Sequence, residues 1–133
     1  GNAVRRPRLS AARMIRPAYL HAPPQSALEL DVYTLRIYTS RTFEWDPAKR
    51  EANLLKHGID FPRAVRIFEA PVLERQDGRR DYGEPRFVAL GAVEELVLAV
   101  VYTPREADFR IISAREAHRD EKAAYRQVRP PEA

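Results

Sequence analysis

The stretch that decides the fold is Phe43-Glu44-Trp45-Asp46-Pro47, continued by Asn53 and by Lys56-His57-Gly58. Its first three residues predict a short strand, because a polar residue lies between two aromatic ones. Asp46 is a favourable N-cap, and Pro47 suits the first helical position, where its missing N–H costs nothing. Gly58 then ends a helix whose last turn carries Lys56 and His57. The stretch therefore predicts a strand followed directly by a helix.

Apolar residues downstream of Asp46 recur at helical spacing. They form one stripe through the first helix, made of Ala48, Ala52, Leu55 and Ile59. Asp60 is a candidate cap for a second, short helix whose apolar residues are Phe61, Ala64, Val65 and Phe68. Pro71 limits the length of that second helix. Two consecutive helices are therefore expected after the first strand.

The hydrophobic period changes to two beyond Pro71. Strands are predicted at 72–75, 86–93, 96–102 and 109–112, with a polar loop at 76–84. Ser113 and Glu116 have the spacing of a capping box, which predicts that a final helix opens there and ends before Pro130. The fold class is therefore α+β: an N-terminal strand and two helices, an antiparallel four-strand meander and a C-terminal helix. This domain is expected to span residues 42–129.

The basic charge of the chain belongs to its first part. Among 133 residues the formal net charge is +4, with seven Arg against two acids in residues 1–41 and sixteen Lys and Arg against seventeen acids afterwards. Residues 1–41 are expected to be a basic, irregular extension, with a possible strand at 28–39. An organelle transit peptide, a plain tail and a start site placed too far upstream remain open for this extension. The absence of cysteine excludes disulfide scaffolds, Cys-ligated zinc and thiol nucleophiles.

A set of short motifs across the domain carries a resemblance to a known family. The residues are Phe43-Glu44-Trp45-Asp46-Pro47, Asn53, Lys56-His57-Gly58, Phe61, Ala64, Phe68, Asp81-Tyr82-Gly83-Glu84, Arg86, Gly91, Val101-Tyr102-Thr103, Arg105, Arg110-Ile111-Ile112-Ser113-Ala114-Arg115 and Tyr125. Together they resemble the BrnT-type toxins of bacterial type II toxin–antitoxin pairs. The resemblance implies a RelE-like fold and a ribonuclease that slows translation in the bacterial cytoplasm. It also implies a partner antitoxin with a ribbon-helix-helix DNA-binding segment.

Metal-independent RNA cleavage needs a base for the 2′-hydroxyl, an acid for the leaving oxygen and cations for the phosphorane. His57 is the acid–base group of the right type, and the alternative is that it complements the helix dipole. Arg105, Arg110 and Arg115 are expected to converge on one end of the sheet and grip phosphate, or else to form surface ion pairs. The predicted catalytic residues are His57, Arg86, Arg105 and Arg115, and the predicted substrate-binding residues are Lys56, Arg110 and Tyr125. The alternative for Tyr125 is an apolar contact of the final helix, and no metal or other cofactor is expected.

Three functions follow from these residues and the resemblance. The first is a ribonuclease toxin that cuts single-stranded or ribosome-associated RNA through 2′-hydroxyl attack. The second is a binding module that acts only as a protein partner in an operator-binding repressor complex. The third is a gyrase poison on the same fold. The sequence leaves the cleavage specificity and the oligomeric state open.

Overall fold

The computed structural model describes residues 32–78 and 82–128 of the chain. Within these ranges the protein forms one six-stranded sheet in the order β1-β3-β4-β5-β6-β2. The strands are β1 (Thr34–Arg36), β2 (Thr42–Glu44), β3 (Val72–Gln76), β4 (Phe87–Val93), β5 (Leu96–Arg105) and β6 (Asp108–Glu116). The helices are α1 (Pro47–His57), α2 (Phe61–Ala64), a 3₁₀ helix (Val65–Glu69) and α3 (Arg119–Val128).

The prediction of an α+β fold is confirmed. Strands β3 to β6 form the antiparallel meander, and β2 adds to its far edge in parallel with β6. Strands β5 and β6 are longer than predicted, because their hairpin turn is confined to Glu106 and Ala107. Glu106 adopts the left-handed backbone conformation, with φ of 57°, that such a tight turn requires. The likeness to RelE toxins remains a prediction.

The predicted start of the last helix at Ser113 is wrong. Residues 113–116 belong to β6, where Ser113 pairs with Val101 and Glu116 pairs with Leu98. The helix begins only at Arg119, and the Oε1 atom of Glu121 accepts a hydrogen bond of 2.7 Å from the backbone N–H of His118. Glu121 thus supplies the side chain that caps the helix from its third position. Arg115 consequently lies on a strand and not at a helix N-terminus.

The segment before residue 42 is joined to the sheet. Strand β1 lies within the possible strand at 28–39 and pairs antiparallel with β3. The Tyr38 ring meets the rings of Phe68 and Phe109 edge to face, at centroid distances of 6.1 Å and 5.0 Å. The remainder of the predicted extension, residues 1–31, lies outside the described residues. The predicted boundary at residue 42 remains a prediction, although residues 34–38 contact the core.

Two apolar clusters fill the two faces of the sheet. The α2 helix and the 3₁₀ helix cover the first cluster, which includes Phe61, Ile67 and Phe109. The α3 helix covers the second through Tyr125. At Gly91 on β4, an added Cβ atom would lie 2.7 Å from the Cβ of Ile67. This strand therefore needs glycine so that the 3₁₀ helix can approach its backbone closely.

The α1 helix has the predicted caps but an unexpected orientation. The Asp46 side chain accepts a hydrogen bond from the N–H of Ala48, and Gly58 ends the helix with φ of 75°. Asn53 is the buried residue of the helix, whereas Leu55 is 84% exposed. Ala48, Ala52 and Leu55 of the predicted stripe therefore face solvent, whereas Ile59, beyond the end of the helix, is buried in the first apolar cluster. A stripe of this kind ordinarily faces the core, so the sequence pattern alone indicates the wrong buried side.

Candidate active site

Five arginine side chains share the face of the sheet on which α3 packs. They belong to β3, to the residue before β4, to β5 and to β6, namely Arg75, Arg86, Arg105, Arg110 and Arg115. Side chains two residues apart on a strand point to the same face, so the arginines share the face of the core residues that α3 covers. These core residues are Leu73, Val88, Val101 and Ile112. We call this surface the arginine face. Such a surface attracts phosphate groups.

Two carboxylates and two guanidinium groups meet at one end of the arginine face. The Oε2 atom of Glu44 lies 3.8 Å from Arg105 and 3.5 Å from Arg110, and Glu84 lies 3.4 Å from Arg105. The parallel register of β2 and β6 places Glu44 beside Arg110, and the β5–β6 hairpin brings Arg105 to the same end. We call Glu44, Glu84, Arg105 and Arg110 the Glu44 cluster. Its side chains are 32–44% exposed, so solvent and a ligand can reach them.

The other end of the arginine face is closed by a buried carboxylate. Glu121 of α3 accepts two hydrogen bonds from Arg115, at 2.7 Å and 3.1 Å, and one of 3.4 Å from Arg75. Burial alone would raise the pKa of Glu121, but hydrogen bonds from Arg115 and from the His118 N–H outweigh it and lower the pKa to about 2. The Glu121 side chain is only 5% exposed. These contacts attach α3 to the sheet, and they occupy the Arg115 fork.

His57 and Lys56 lie in the last turn of α1 and are exposed. Partial desolvation of this otherwise exposed imidazole lowers the pKa of His57 below its usual value, and the charges of Lys56 and Arg115 lower it further. The imidazole is therefore neutral at neutral pH and can accept a proton. The charge of Arg115 acts on His57, so His57 lies near the closed end of the arginine face and not near the Glu44 cluster.

Arg86 and Tyr82 form a stacked pair at the start of β4. The Arg86 guanidinium carbon lies 3.9 Å from the centre of the Tyr82 ring. The Nε atom of Arg86 is buried and has no hydrogen-bond partner in the described part of the chain. The Arg86 and Tyr82 side chains are otherwise partly exposed, so a ligand can contact the stacked pair but not the buried Nε atom.

Tyr125 is enclosed between α3 and the sheet. Its exposure is 5%, and it packs in the second apolar cluster. This position favours the packing alternative over the predicted contact with substrate.

The expected convergence of three arginines is wrong for one of them. Arg105 and Arg110 meet at Glu44, but Arg115 lies further along β6, opposite Ala99 where Arg110 is opposite Thr103, and these four residues of β5 correspond to about 14 Å at the rise of a strand. The predicted residues are therefore divided between two ends of one face. Glu44, Arg75 and Glu121 were missed. Glu44 was detectable, because the aromatic neighbours of β2 face the core and leave Glu44 on the opposite side.

A second buried carboxyl lies on the opposite face of the sheet. Glu74 accepts hydrogen bonds from the hydroxyls of Tyr38 at 3.0 Å and of Tyr102 at 2.7 Å. Burial raises the pKa of Glu74, and it also raises the pKa of Tyr102. Arg36 of β1 lies 3.7 Å from the carboxylate. The group links β1 and β3 to β5 and is remote from the arginine face.

Comparison with known families decides what kind of protein carries this site. A family profile described as "Ribonuclease toxin, BrnT, of type II toxin-antitoxin system" matches residues 45–121. This chain belongs to the BrnT family. The matched range contains His57, Arg86, Arg105, Arg110 and Arg115, and it begins directly after Glu44. Membership of a type II BrnT family implies that an antitoxin is the partner of this chain.

No curated protein matches the chain. Among the helices of residues 32–78 and 82–128, none is long and apolar enough to cross a membrane.

Proposed function

We propose that this BrnT-family chain is a metal-independent endoribonuclease that inhibits translation by cutting RNA at the Glu44 cluster. The observation that carries the proposal is the position of Glu44 between Arg105 and Arg110 at the open end of the arginine face. A proton acceptor and two phosphate-binding cations are thereby within reach of one ligand. The proposal includes the RelE-like fold and a cytoplasmic location.

The open end is a better reaction site than the closed end for a physical reason. Arg115 donates two short hydrogen bonds to a nearly buried carboxylate, and breaking them would leave an unpaired charge. Arg105 and Arg110 contact their carboxylates only at 3.4–3.8 Å and are partly exposed. Exposed ion pairs of this length contribute little, so these arginines can turn towards a phosphate at small cost.

The chemistry follows from the groups in the Glu44 cluster. The Glu44 carboxylate takes the proton of the 2′-hydroxyl as that oxygen attacks phosphorus. Arg105 and Arg110 donate hydrogen bonds to the phosphorane oxygens as their negative charge develops. The bond to the 5′-oxygen breaks, and the leaving oxygen takes a proton from water at this open end of the sheet. The products are a 2′,3′-cyclic phosphate and a 5′-hydroxyl.

The remaining predicted residues have supporting places in this proposal. Arg86, partly exposed and stacked on Tyr82, is positioned to hold a neighbouring phosphate or base. Lys56 and His57 can contact RNA that leaves the arginine face at its closed end. His57 remains the alternative acid–base group, since its lowered pKa leaves it neutral. The proposed partner is an antitoxin with a ribbon-helix-helix segment that binds DNA in the complex.

The test incubates the purified chain with single-stranded RNA, and separately with translating ribosomes, in the presence of a chelator. Cleavage to a 2′,3′-cyclic phosphate in either arm is expected, and a 2′-deoxynucleotide at the cleaved position should block it. Intact RNA in both arms would overturn the proposal. Growth arrest with intact RNA would then favour a gyrase poison, whereas the absence of both effects would favour a binding module.

Arg105→Gln and Arg110→Gln test where RNA is cut, with Arg63→Gln as the matched control. Arg63 also forms a partly exposed pair, 3.0 Å from Glu94, but it belongs to α2 on the other side of the sheet. Each of the first two variants should lose about tenfold to 100-fold in cleavage rate, the loss expected for one charge-assisted contact in the transition state. Equal rates in all three variants would remove the Glu44 cluster as the site.

A further inference from the structure

The α1 helix presents its apolar side to solvent. Leu55 is 84% exposed and Leu54 is 42% exposed, and Ala48 and Ala52 are exposed beside them. Isolated exposed apolar residues are ordinary, but Ala48, Ala52 and Leu55 lie at helical spacing along one side of α1, whereas Leu54 lies on a different side of the helix. A helix that turns such a stripe outward leaves it available to a partner.

Asn53 fixes this orientation. Its amide N–H groups donate to the carbonyl oxygens of Ile59 at 3.0 Å and Ala114 at 2.8 Å, and its oxygen accepts from the N–H of Ala114 at 3.1 Å. Strand β2 pairs with β6 only at residues 108–110, so Ala114 lies beyond the end of β2. The Asn53 amide therefore pairs with the β6 backbone as a neighbouring strand would. This contact turns Asn53 to the interior and the stripe to the outside.

Positive charge lies beside the stripe. Lys49 and Lys56 are seven residues apart, so they lie on one side of the helix next to Ala52. Neither ammonium group has an ion-pair partner within residues 32–78 and 82–128, whereas the nearby Arg50 is paired with Asp60 at 2.7 Å. We call Ala48, Lys49, Ala52, Leu55 and Lys56 the α1 surface. It combines an apolar stripe with a basic border on one side, and the exposed Glu51 flanks Ala48 and Leu55 on the other side.

We propose that the α1 surface is the docking site for an acidic amphipathic helix of the antitoxin. An apolar stripe is complementary to the apolar side of a second helix, and the two lysines favour acidic residues along its edge. The proposal rests on the toxin function proposed above. A helix laid along α1 also reaches Lys56 and His57, next to the closed end of the arginine face. Binding there would restrict access of RNA from that side.

The test uses the purified product of the reading frame next to the gene for this chain as the probe. Its dissociation constant is measured by calorimetry for the wild-type chain and for Leu55→Glu, Lys49→Glu and Val128→Glu. Val128 is the matched control, because it is an exposed apolar residue on a different helix, α3. Leu55→Glu should bind about 30-fold more weakly, as expected for loss of one central apolar contact. Lys49→Glu should bind about fivefold more weakly at low salt, and Val128→Glu within twofold of wild type.

Leu55→Glu binding within threefold of wild type would overturn the docking site. So would equal losses in Leu55→Glu and Val128→Glu, or a wild-type chain that does not bind the probe. Each free variant is also assayed for RNA cleavage, and its unfolding is measured in urea. The free Leu55→Glu chain should cleave RNA at the wild-type rate. A wild-type chain that binds the probe but cuts no RNA would instead overturn the proposed ribonuclease function and leave the docking result standing.

Discussion

At the scale of single residues, two buried glutamates on opposite faces of the sheet have opposite electrostatic situations. Glu121 receives hydrogen bonds from Arg115 and from a backbone N–H, and its pKa falls to about 2. Glu74 receives hydrogen bonds mainly from tyrosine hydroxyls, and burial raises its pKa. The charged form is therefore favoured in the folded state for Glu121 and disfavoured for Glu74.

The two glutamates should affect the pH dependence of stability with opposite sign. Glu121 contributes stability above its unfolded pKa of 4.5, and this contribution is lost as the pH falls towards 2. Glu121→Gln should therefore be less stable than wild type at pH 7 by on the order of 2 kcal/mol, and its stability should fall less steeply with pH below 4.5. Glu74 loses stability as the pH rises above 4.5 through its raised pKa, so Glu74→Gln should gain relative to wild type in that range. Urea unfolding from pH 2.5 to 7 measures both. If Glu121→Gln lost stability on acidification as steeply as wild type, the lowered pKa of Glu121 would be contradicted.

Two arginines that were predicted together should now behave differently. Arg115→Ala leaves the nearly buried Glu121 without its main partner and should cost about 3 kcal/mol in the free energy of unfolding. Arg105→Ala breaks only partly exposed pairs and should cost less than about 1 kcal/mol, while it lowers RNA cleavage more than tenfold. Urea unfolding and cleavage rates are measured on both variants. Similar losses of stability in the two would show that Arg115 does not anchor α3.

At the scale of elements, the sequence predicted the features that depend on contacts between neighbouring residues of the chain. The caps of α1 at Asp46 and Gly58 were readable, because each is a contact within the same turn. The orientation of α1 was not readable, because it depends on a hydrogen bond between Asn53 and Ala114, sixty-one residues apart. The false capping box at Ser113 failed for the same reason. Pairing with β5 carries β6 through that position, and tertiary contacts override the local preference.

The account of α1 predicts a large effect of one buried amide. Asn53→Ala removes three hydrogen bonds and leaves the N–H and C=O of Ala114 without these partners, which should cost about 2–4 kcal/mol. Glu51→Ala is the control, since Glu51 is exposed on the same helix and should change stability by less than about 0.5 kcal/mol. Urea unfolding measures both. A small loss in Asn53→Ala would mean that apolar contacts hold the helix instead.

At the scale of the whole molecule, the boundary of the folded unit is the least predictable feature. Composition changes near residue 42 and suggests that everything before it is dispensable. The sheet nevertheless includes β1, and Tyr38 contributes its ring to the core and its hydroxyl to Glu74. The sequence suggested a possible strand at 28–39, but a three-residue edge strand has too little periodicity to show that it belongs to the domain. The family was easier to predict from the sequence than the boundary, because the family motifs lie inside the domain.

Two truncations separate these possibilities. Deletion of residues 1–31 should leave the free energy of unfolding within about 0.5 kcal/mol, because the proline- and arginine-rich composition of this segment predicts little buried apolar surface. Deletion of residues 1–40 removes β1 and Tyr38 and should cost about 3 kcal/mol or more, the loss typical of a buried aromatic residue. Urea unfolding of the two truncated chains measures the difference. Equal stability would restore the boundary at residue 42.

The candidate active site shows the same division between features set by neighbouring residues and features set by residues distant in sequence. His57 and the arginines were recognisable as residue types suited to RNA, but their grouping depends on strand register. Glu44 and Arg110 meet only because β2 runs parallel to β6, a pairing that joins residues more than sixty positions apart. The central claim is that this meeting point is where RNA is cut.

The most direct test of that claim is the single-turnover cleavage rate of Glu44→Gln in the presence of a chelator, beside Glu94→Gln. Glu94 is the matched control, because it forms an exposed ion pair with Arg63, at a distance of 3.0 Å between them. This pair lies outside the arginine face. Glu44→Gln should fold normally, bind RNA and cleave it about 100-fold more slowly or worse, the loss expected for a general base. Glu94→Gln should cleave at the wild-type rate. A folded Glu44→Gln chain that cleaves as fast as wild type would contradict the account.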